Sequence, residues 1–181
     1  MESYQRNYRW KLQARNLITF IKTIIMQGRM KEHPLSAEEI IALLLSQSVG
    51  NLGTVSPGGF PYITPVHYVV IEGKIYIHGL CAGQKIDYIK ANSKIGFEVF
   101  KMNGLIHDPE LPCDTNTDYQ SVIILGTAKI IDDDALKIQV LDEVVKKFTP
   151  QHAGKSYPLA MLKATGVIEI TPSETTGKFF K

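Results

Sequence analysis

Two tight turns in the first half of the chain leave it few ways to fold. Ser56-Pro57-Gly58-Gly59 and Glu72-Gly73 separate three β-type runs, Val49–Ser56, Pro61–Ile71 and Lys74–His78. Proline and glycine supply turn dihedrals that other residues resist, and connections this short join antiparallel neighbours. A regular βαβ alternation, and with it a doubly wound parallel sheet, is therefore disfavoured. Pro65 inside the second run cannot donate to a ladder, so it marks an edge or a bulge.

The remaining elements follow from local signals. Ser36-Ala37-Glu38-Glu39 is a capping box opening a helix whose apolar residues run from Ile40 to Leu45. Gly50 and Gly53 in the first run imply close backbone packing or a bulge. A short helix is expected over Gln84–Ala91, then a strand over Lys94–Met102 and a loop from Asn103 to Asp118. Tyr119–Asp132 is a long β-type run, and Asp132-Asp133-Asp134 places negative charge at the start of a helix reaching Phe148. Ala164–Thr171 gives the last strand. Six short strands joined mainly by hairpins, with helices between them, point to a mainly β chain: an antiparallel barrel with peripheral helices.

At 181 residues with 44% hydrophobic and 21% charged content, the chain has ordinary globular composition. The net charge of +2 hides an asymmetry. Residues 1–31 hold seven Lys/Arg against Glu2, a net of +6, which leaves −4 for the rest. A mildly acidic body gives no support for nucleic-acid binding. We divide the chain into a basic extension over residues 1–30 and a folded domain over residues 31–181; the extension reads as a basic amphipathic helix packing on the body or a partner, as a weak membrane-surface anchor, or as an upstream extension dispensable to the chemistry. Leu17–Met26 is apolar but interrupted by Lys22 and too short to span a membrane, and no cleavage site follows it. Met26 and Met30 both offer alternative starts. Two unpaired cysteines, Cys81 and Cys113, fit a reducing, cytoplasmic setting.

The stretch KIYIHGLCAGQKIDYIKANSK, Lys74 to Lys94, carries the chemistry. It reads as a strand, a small-residue loop (Gly79–Gly83) and a helix opening at Gln84-Lys85. Such a loop lets backbone N–H groups approach an anion, the free N–H groups of the first helical turn point at it, and Lys85 adds a full charge. The combination is built to hold a phosphate. His78 stands at the strand end facing it and can serve as a proton donor near neutral pH. His78-x-x-Cys81 has a ligand-like spacing and His107 shares a loop with Cys113, but the three or four organised ligands of a zinc site, a Ser–His–acid arrangement and a nucleotide-binding glycine fingerprint are missing.

Three segments in order, LGTVSPGGFPYITPVHYVV, KIYIHGLCAGQKIDYIKANSKIGFEV and TDYQSVIILGTAKIIDD, resemble the FMN-binding split-barrel superfamily of pyridoxamine 5′-phosphate oxidase. Within it the likeness is to the nitroimidazole-resistance-type branch, and it covers roughly Lys31 to Thr171. The resemblance implies a six-stranded antiparallel Greek-key split barrel that forms a homodimer, with FMN bound between the subunits. It places Thr54 beneath the ribityl chain or ring and a bulged Pro65-Val66-His67 segment against the isoalloxazine edge. His78 and Gly79 would flank the flavin, with His78 catalytic. Gly83, Gln84 and Lys85 would hold the phosphate, with Ser121 facing the phosphate or the ribityl hydroxyls. The position of Gln84 is commonly Arg or His in such proteins, so this chain offers one cation there where others offer two.

The activity implied is NAD(P)H-driven reduction of a nitro-aromatic or quinone-like acceptor. Three other readings share the fold: a non-catalytic flavin carrier or sensor, a pyridoxamine-phosphate-type oxidase, and a haem-binding relative using His78 or another histidine. The oxidase reading lacks an arginine-rich second phosphate site. Of the terminal aromatics, Trp10, Phe179 and Phe180 are expected to dock or to be disordered.

Overall fold

Glu72 and Gly73 both take positive φ, 50° and 80°, the turn geometry whose twist matches a two-residue hairpin. They join β2 (Pro61–Ile71) to β3 (Lys74–Leu80). In the computed structural model, which describes residues 32–181, four more strands complete the set: β1 (Val49–Val55), β4 (Lys94–Ile106), β5 (Asn116–Ile131) and β6 (Thr165–Phe180). All neighbours are antiparallel, and they close into one barrel in the order β1-β2-β3-β6-β5-β4. The chain is a mainly β split barrel, as its turns require. The boundary between a basic extension and the domain falls outside the described residues.

Strand alternation gives the barrel an inside and an outside. Leu52, Tyr68, Ile75, Phe97, Ile124 and Ile170 point inward and are buried in one core. Gly50 is required there, because a Cβ would collide with the Phe97 ring. Helix α1 (Ala37–Ser46) begins at the expected capping box, with the Ser36 hydroxyl accepting from Glu39 N–H and Glu39 Oε2 accepting from Ser36 N–H. It plugs the barrel with Ile40, Ile41, Leu43 and Leu44, and the Tyr68 hydroxyl donates to Leu44 C=O at 2.6 Å. Helix α2 (Gln84–Ala91) packs against β1 and β5, burying Ile86 and Ile89 in the same core.

The outside is treated unequally. Helix α3 (Asp134–Phe148), capped by the Asp133 carboxylate on Leu136 N–H, covers Val69, Ile71, Tyr76, Ile131 and Val167 with Val140 and Val144. Among the described residues, no helix of this kind covers the outer wall of β2, β1, β4 and β5. Ile63, Val49, Phe100, Ile123 and Leu125 project from it, each at least 44% exposed. Centrally it is flat, formed by Gly53 beside Gly96 and by Asn51, which donates to Glu98 at 3.0 Å.

Several sequence expectations need correction. The Pro65–His67 segment is not bulged: β1 and β2 run in unbroken register from Val49↔His67 to Val55↔Pro61. Pro65 is tolerated because β2 meets β3 only from Tyr68 onward, so its first half is an open edge. The expected loop from Asn103 shortens, since β4 and β5 continue pairing to Ile106↔Asn116. Strand β6 runs to Phe180, pairing Phe179 with Gln120 and Phe180 with Tyr119, so these aromatics are wall residues. Helix α4 (Leu159–Ala164), a six-residue helix with no side-chain cap, has no counterpart in the sequence expectations.

Candidate functional site

The site starts at the end of β3. His78 alternates with Tyr76, so its ring lies on the outer wall, half-buried. Its Nδ1 is buried with no hydrogen-bond partner among the described residues. Burial lowers its pKa, and the neighbouring His67 lowers it further, so the ring is neutral at pH 7. His67 is the next rung across from His78 after the pair Tyr68↔Ile77. It stacks on Phe148 with ring centroids 4.6 Å apart.

Beyond Gly79 and Leu80 the chain turns through an exposed loop into α2. Gly83 is the N-cap at φ 126°, a conformation side chains resist, and a Cβ added there would meet nothing within 4 Å. Open space therefore lies against the backbone at this point. The Gly83 carbonyl accepts from Ile86 and Asp87 N–H. The N–H groups of Gln84 and Lys85, at the first two helical positions, have no acceptor within the helix. Lys85 is half-exposed and forms no ion pair among the described residues. Gln84 is exposed and uncharged.

The fold thus gathers His67, His78 and Gly79, and follows them within a few residues by Gly83, Gln84 and Lys85. Pro65 sits exposed on the same open edge of β2. The Val66 side chain turns into the core, leaving only its backbone beside the site. Thr54 stands apart: it alternates with Leu52, points inward, is 1% exposed, and spends its hydroxyl on Tyr62 C=O at 3.3 Å.

Ser121 also stands apart, for a topological reason. From His67 the register runs to Val49 on β1, and from Phe100 on β4 to Ser121 on β5. Ser121 lies four strand spacings from His78 around the outer wall, about 19 Å at roughly 4.8 Å each. It projects from a different side of the closed barrel.

Sequence reasoning missed the role of helix α3. Lys147 Nζ donates to Gln47 C=O at 2.7 Å and Tyr68 C=O at 3.1 Å, and lies 4.2 Å from the Tyr68 ring centroid. Burial pushes this ammonium down to about 8. A lysine late in an amphipathic helix gives no sequence sign of reaching back a hundred residues. Among the described residues no group of three His, Cys, Asp or Glu could hold a metal ion, and no helix is long and apolar enough to cross a membrane.

Comparison with known proteins places this geometry. The profile of the family described as pyridoxamine 5′-phosphate oxidase matches residues 36–179, which spans every strand of the barrel. The chain belongs to that family. No curated protein matches it. Among solved structures, a candidate 5-nitroimidazole antibiotic resistance protein from Bacteroides thetaiotaomicron aligns at 20% identity and TM-score 0.71, covering 80% of this chain and 85% of its own. The flavocytochrome Anf3 from Azotobacter vinelandii aligns at 22% identity and TM-score 0.76, covering 86% and 72%. An FAD-binding protein from Mycobacterium smegmatis aligns at 25% identity and TM-score 0.52, covering 82% and 99%. These likenesses establish a pyridoxamine 5′-phosphate oxidase-like split barrel, a fold shared by flavin-binding proteins.

Proposed function

We propose that this protein is an FMN-dependent oxidoreductase that takes reducing equivalents from NAD(P)H and reduces a nitro-aromatic or quinone-like acceptor. The observation that carries this reading is the cradle at Gly83–Lys85 beside the unpartnered Nδ1 of His78. An anionic tail fits it: among the described residues the space against Gly83 is open, two helical N–H groups lack acceptors within the helix, and Lys85 forms no ion pair. When bound, FMN supplies hydride acceptance and electron delivery, chemistry that no side chain here can provide.

The chain's own part is to bind and to orient. Lys85 and the N–H groups of α2 hold the phosphate. The open edge of β2, at Pro65 and His67, offers backbone groups to the ring. His78 is neutral at pH 7, so it acts through a neutral ring nitrogen, donating or accepting a hydrogen bond. It does not act as a standing imidazolium.

The reading includes a homodimer with the cofactor between subunits. Two observations support it. The wall from His67 to Ser121 exposes apolar side chains that none of the described residues covers, while the opposite wall is sealed by α3. Ser121 lies four strands from His78 along this wall, so a flavin laid across a two-fold contact of the wall would meet His78 of one copy and Ser121 of the other.

The test begins with the absorption spectrum of purified protein titrated with FMN, followed by mass identification of the acid-released ligand. Anaerobic NADPH or NADH should bleach the flavin bands, and a nitro-aromatic should restore them. Protein that stays colourless in excess FMN would end the flavin reading. Bound flavin that no nicotinamide bleaches would leave a carrier instead of a reductase.

A further inference from the structure

We infer that Lys178 of a second copy supplies the second cation for the cofactor phosphate held by Lys85 of the first, an inference that rests on the shared-site reading above. A phosphate monoester carries about −1.5 to −2 charge at pH 7. The cradle of one chain offers one cation, because Gln84 is neutral. The balance has to come from elsewhere.

The register of β5 and β6 identifies the source. Ser121 pairs with Lys178, and both side chains stand on the outer wall, where directly opposed Cβ atoms lie about 5 Å apart. Ser121 is only 6% exposed, so the group this corner presents outward is the Lys178 ammonium. That ammonium has no carboxylate partner among the described residues. Its contact is the Tyr119 ring, 5.7 Å to the centroid, a weak resting place that an incoming anion can displace.

Symmetry then brings the two lysines to one place. The open wall has His67 and His78 at one edge and Ser121 and Lys178 at the other. Its centre is the flat patch of Gly53, Gly96, Asn51 and Glu98. In a two-fold contact a patch meets its own copy, so residue i touches j and j touches i. With the axis running along the strands through that flat centre, the His78 edge of each copy meets the Lys178 edge of the other. Two equivalent sites result, each with one lysine from either chain.

The experiment is a titration with FMN, read by quenching of flavin fluorescence, on wild type, Lys85→Ala, Lys178→Ala and Lys178→Arg. The expected result is a Kd at least tenfold weaker for each alanine variant, as for loss of one charge-assisted hydrogen bond. Lys178→Arg should bind within threefold of wild type. Lys178→Ala equal to wild type, with Lys85→Ala weakened, would overturn the assignment and leave the flavin reading standing. Failure of wild type to bind FMN would overturn both.

A second arm tests that the two lysines come from different chains. Differently tagged Lys85→Ala and Lys178→Ala chains are co-expressed and the heterodimer purified. One site then carries both substitutions and the other carries neither, so the heterodimer should bind one FMN per dimer with wild-type affinity. A heterodimer with no tight site would place both lysines on the same chain and overturn the inference.

Discussion

Glu169 is 3% exposed on the outer wall of β6 and receives three donors: Lys74 at 3.0 Å, Lys129 at 3.2 Å and the Tyr76 hydroxyl at 2.9 Å. Burial alone would push its carboxyl up, but these hydrogen bonds outweigh it and hold the pKa below its ordinary 4.5. A folded value below the unfolded one means stability present above pH 4.5 and lost as pH falls through the folded value. Glu169→Gln should therefore cost about 1–3 kcal/mol at pH 7. It should also flatten the fall of the urea midpoint between pH 7 and pH 4; a midpoint equal to wild type at pH 7 and at pH 4 would make the cluster ornamental. The cost stays at this level because Lys74 and Lys129 remain 39% and 64% exposed and can turn to water. His78 has the same sign of linkage from a different cause. Its folded pKa is depressed below 6.5, so the unfolded chain takes up a proton first and stability falls as pH drops below 6.5. His78→Gln should remove that slope in a urea titration between pH 7 and pH 5. A slope identical to wild type would show that burial of the ring imposes no penalty on its charge.

Helix α3 acts on the site from outside the barrel. Its last turn stacks Phe148 on His67 and ties Gln47, at the end of α1, to Tyr68 through the Lys147 ammonium. Lys147→Met keeps the apolar stem and removes both donors, leaving two carbonyls short of partners. The expected loss is about 2 kcal/mol, a fall in Tm of roughly 4–8 °C for a domain of this size; a Tm within 1 °C of wild type would mean water replaces the ammonium. The elements themselves were legible where a local signal existed. The capping box at Ser36, the I′ turn at Glu72-Gly73 and the Asp133 cap each fix a boundary through chemistry within four residues. The signal fails at β6. There Pro172 and Gly177 interrupt any alternation, and Ser173 is bulged out between Gly126↔Pro172 and Leu125↔Glu174. Pairing with β5 makes that segment a strand, and no sequence window contains both partners. The bulge expected at Pro65 failed conversely, since proline reports only a missing donor, and an open edge satisfies that as well as a bulge does.

At the scale of the molecule, the grouping proposed as a phosphate cradle was legible because it is local: Gly83, Gln84 and Lys85 are consecutive, and His78 precedes Gly83 by five residues. The orientation of Thr54 and the remoteness of Ser121 were not, because they depend on which face of a closed barrel each strand presents. That same closure divides the surface into a wall sealed by α3 and a wall that the described residues leave open, and the open wall makes a prediction of its own. Leu125 is 49% exposed at its edge, in the row that runs through Ile63, Gly53 and Gly96. Leu125→Arg adds a charge that a lone protomer leaves in water, so the fold should lose no more than about 0.5 kcal/mol. In a dimer closed across this wall the same charge is buried unpaired, which costs several kcal/mol and outweighs the contact. The variant should therefore elute as a monomer with a wild-type circular dichroism spectrum. Its FMN affinity should fall at least tenfold, although the substitution touches neither Lys85 nor His78. A Leu125→Arg protein that remains dimeric would move the interface to another face. A monomer that binds FMN as tightly as wild type would show that one barrel holds the cofactor alone.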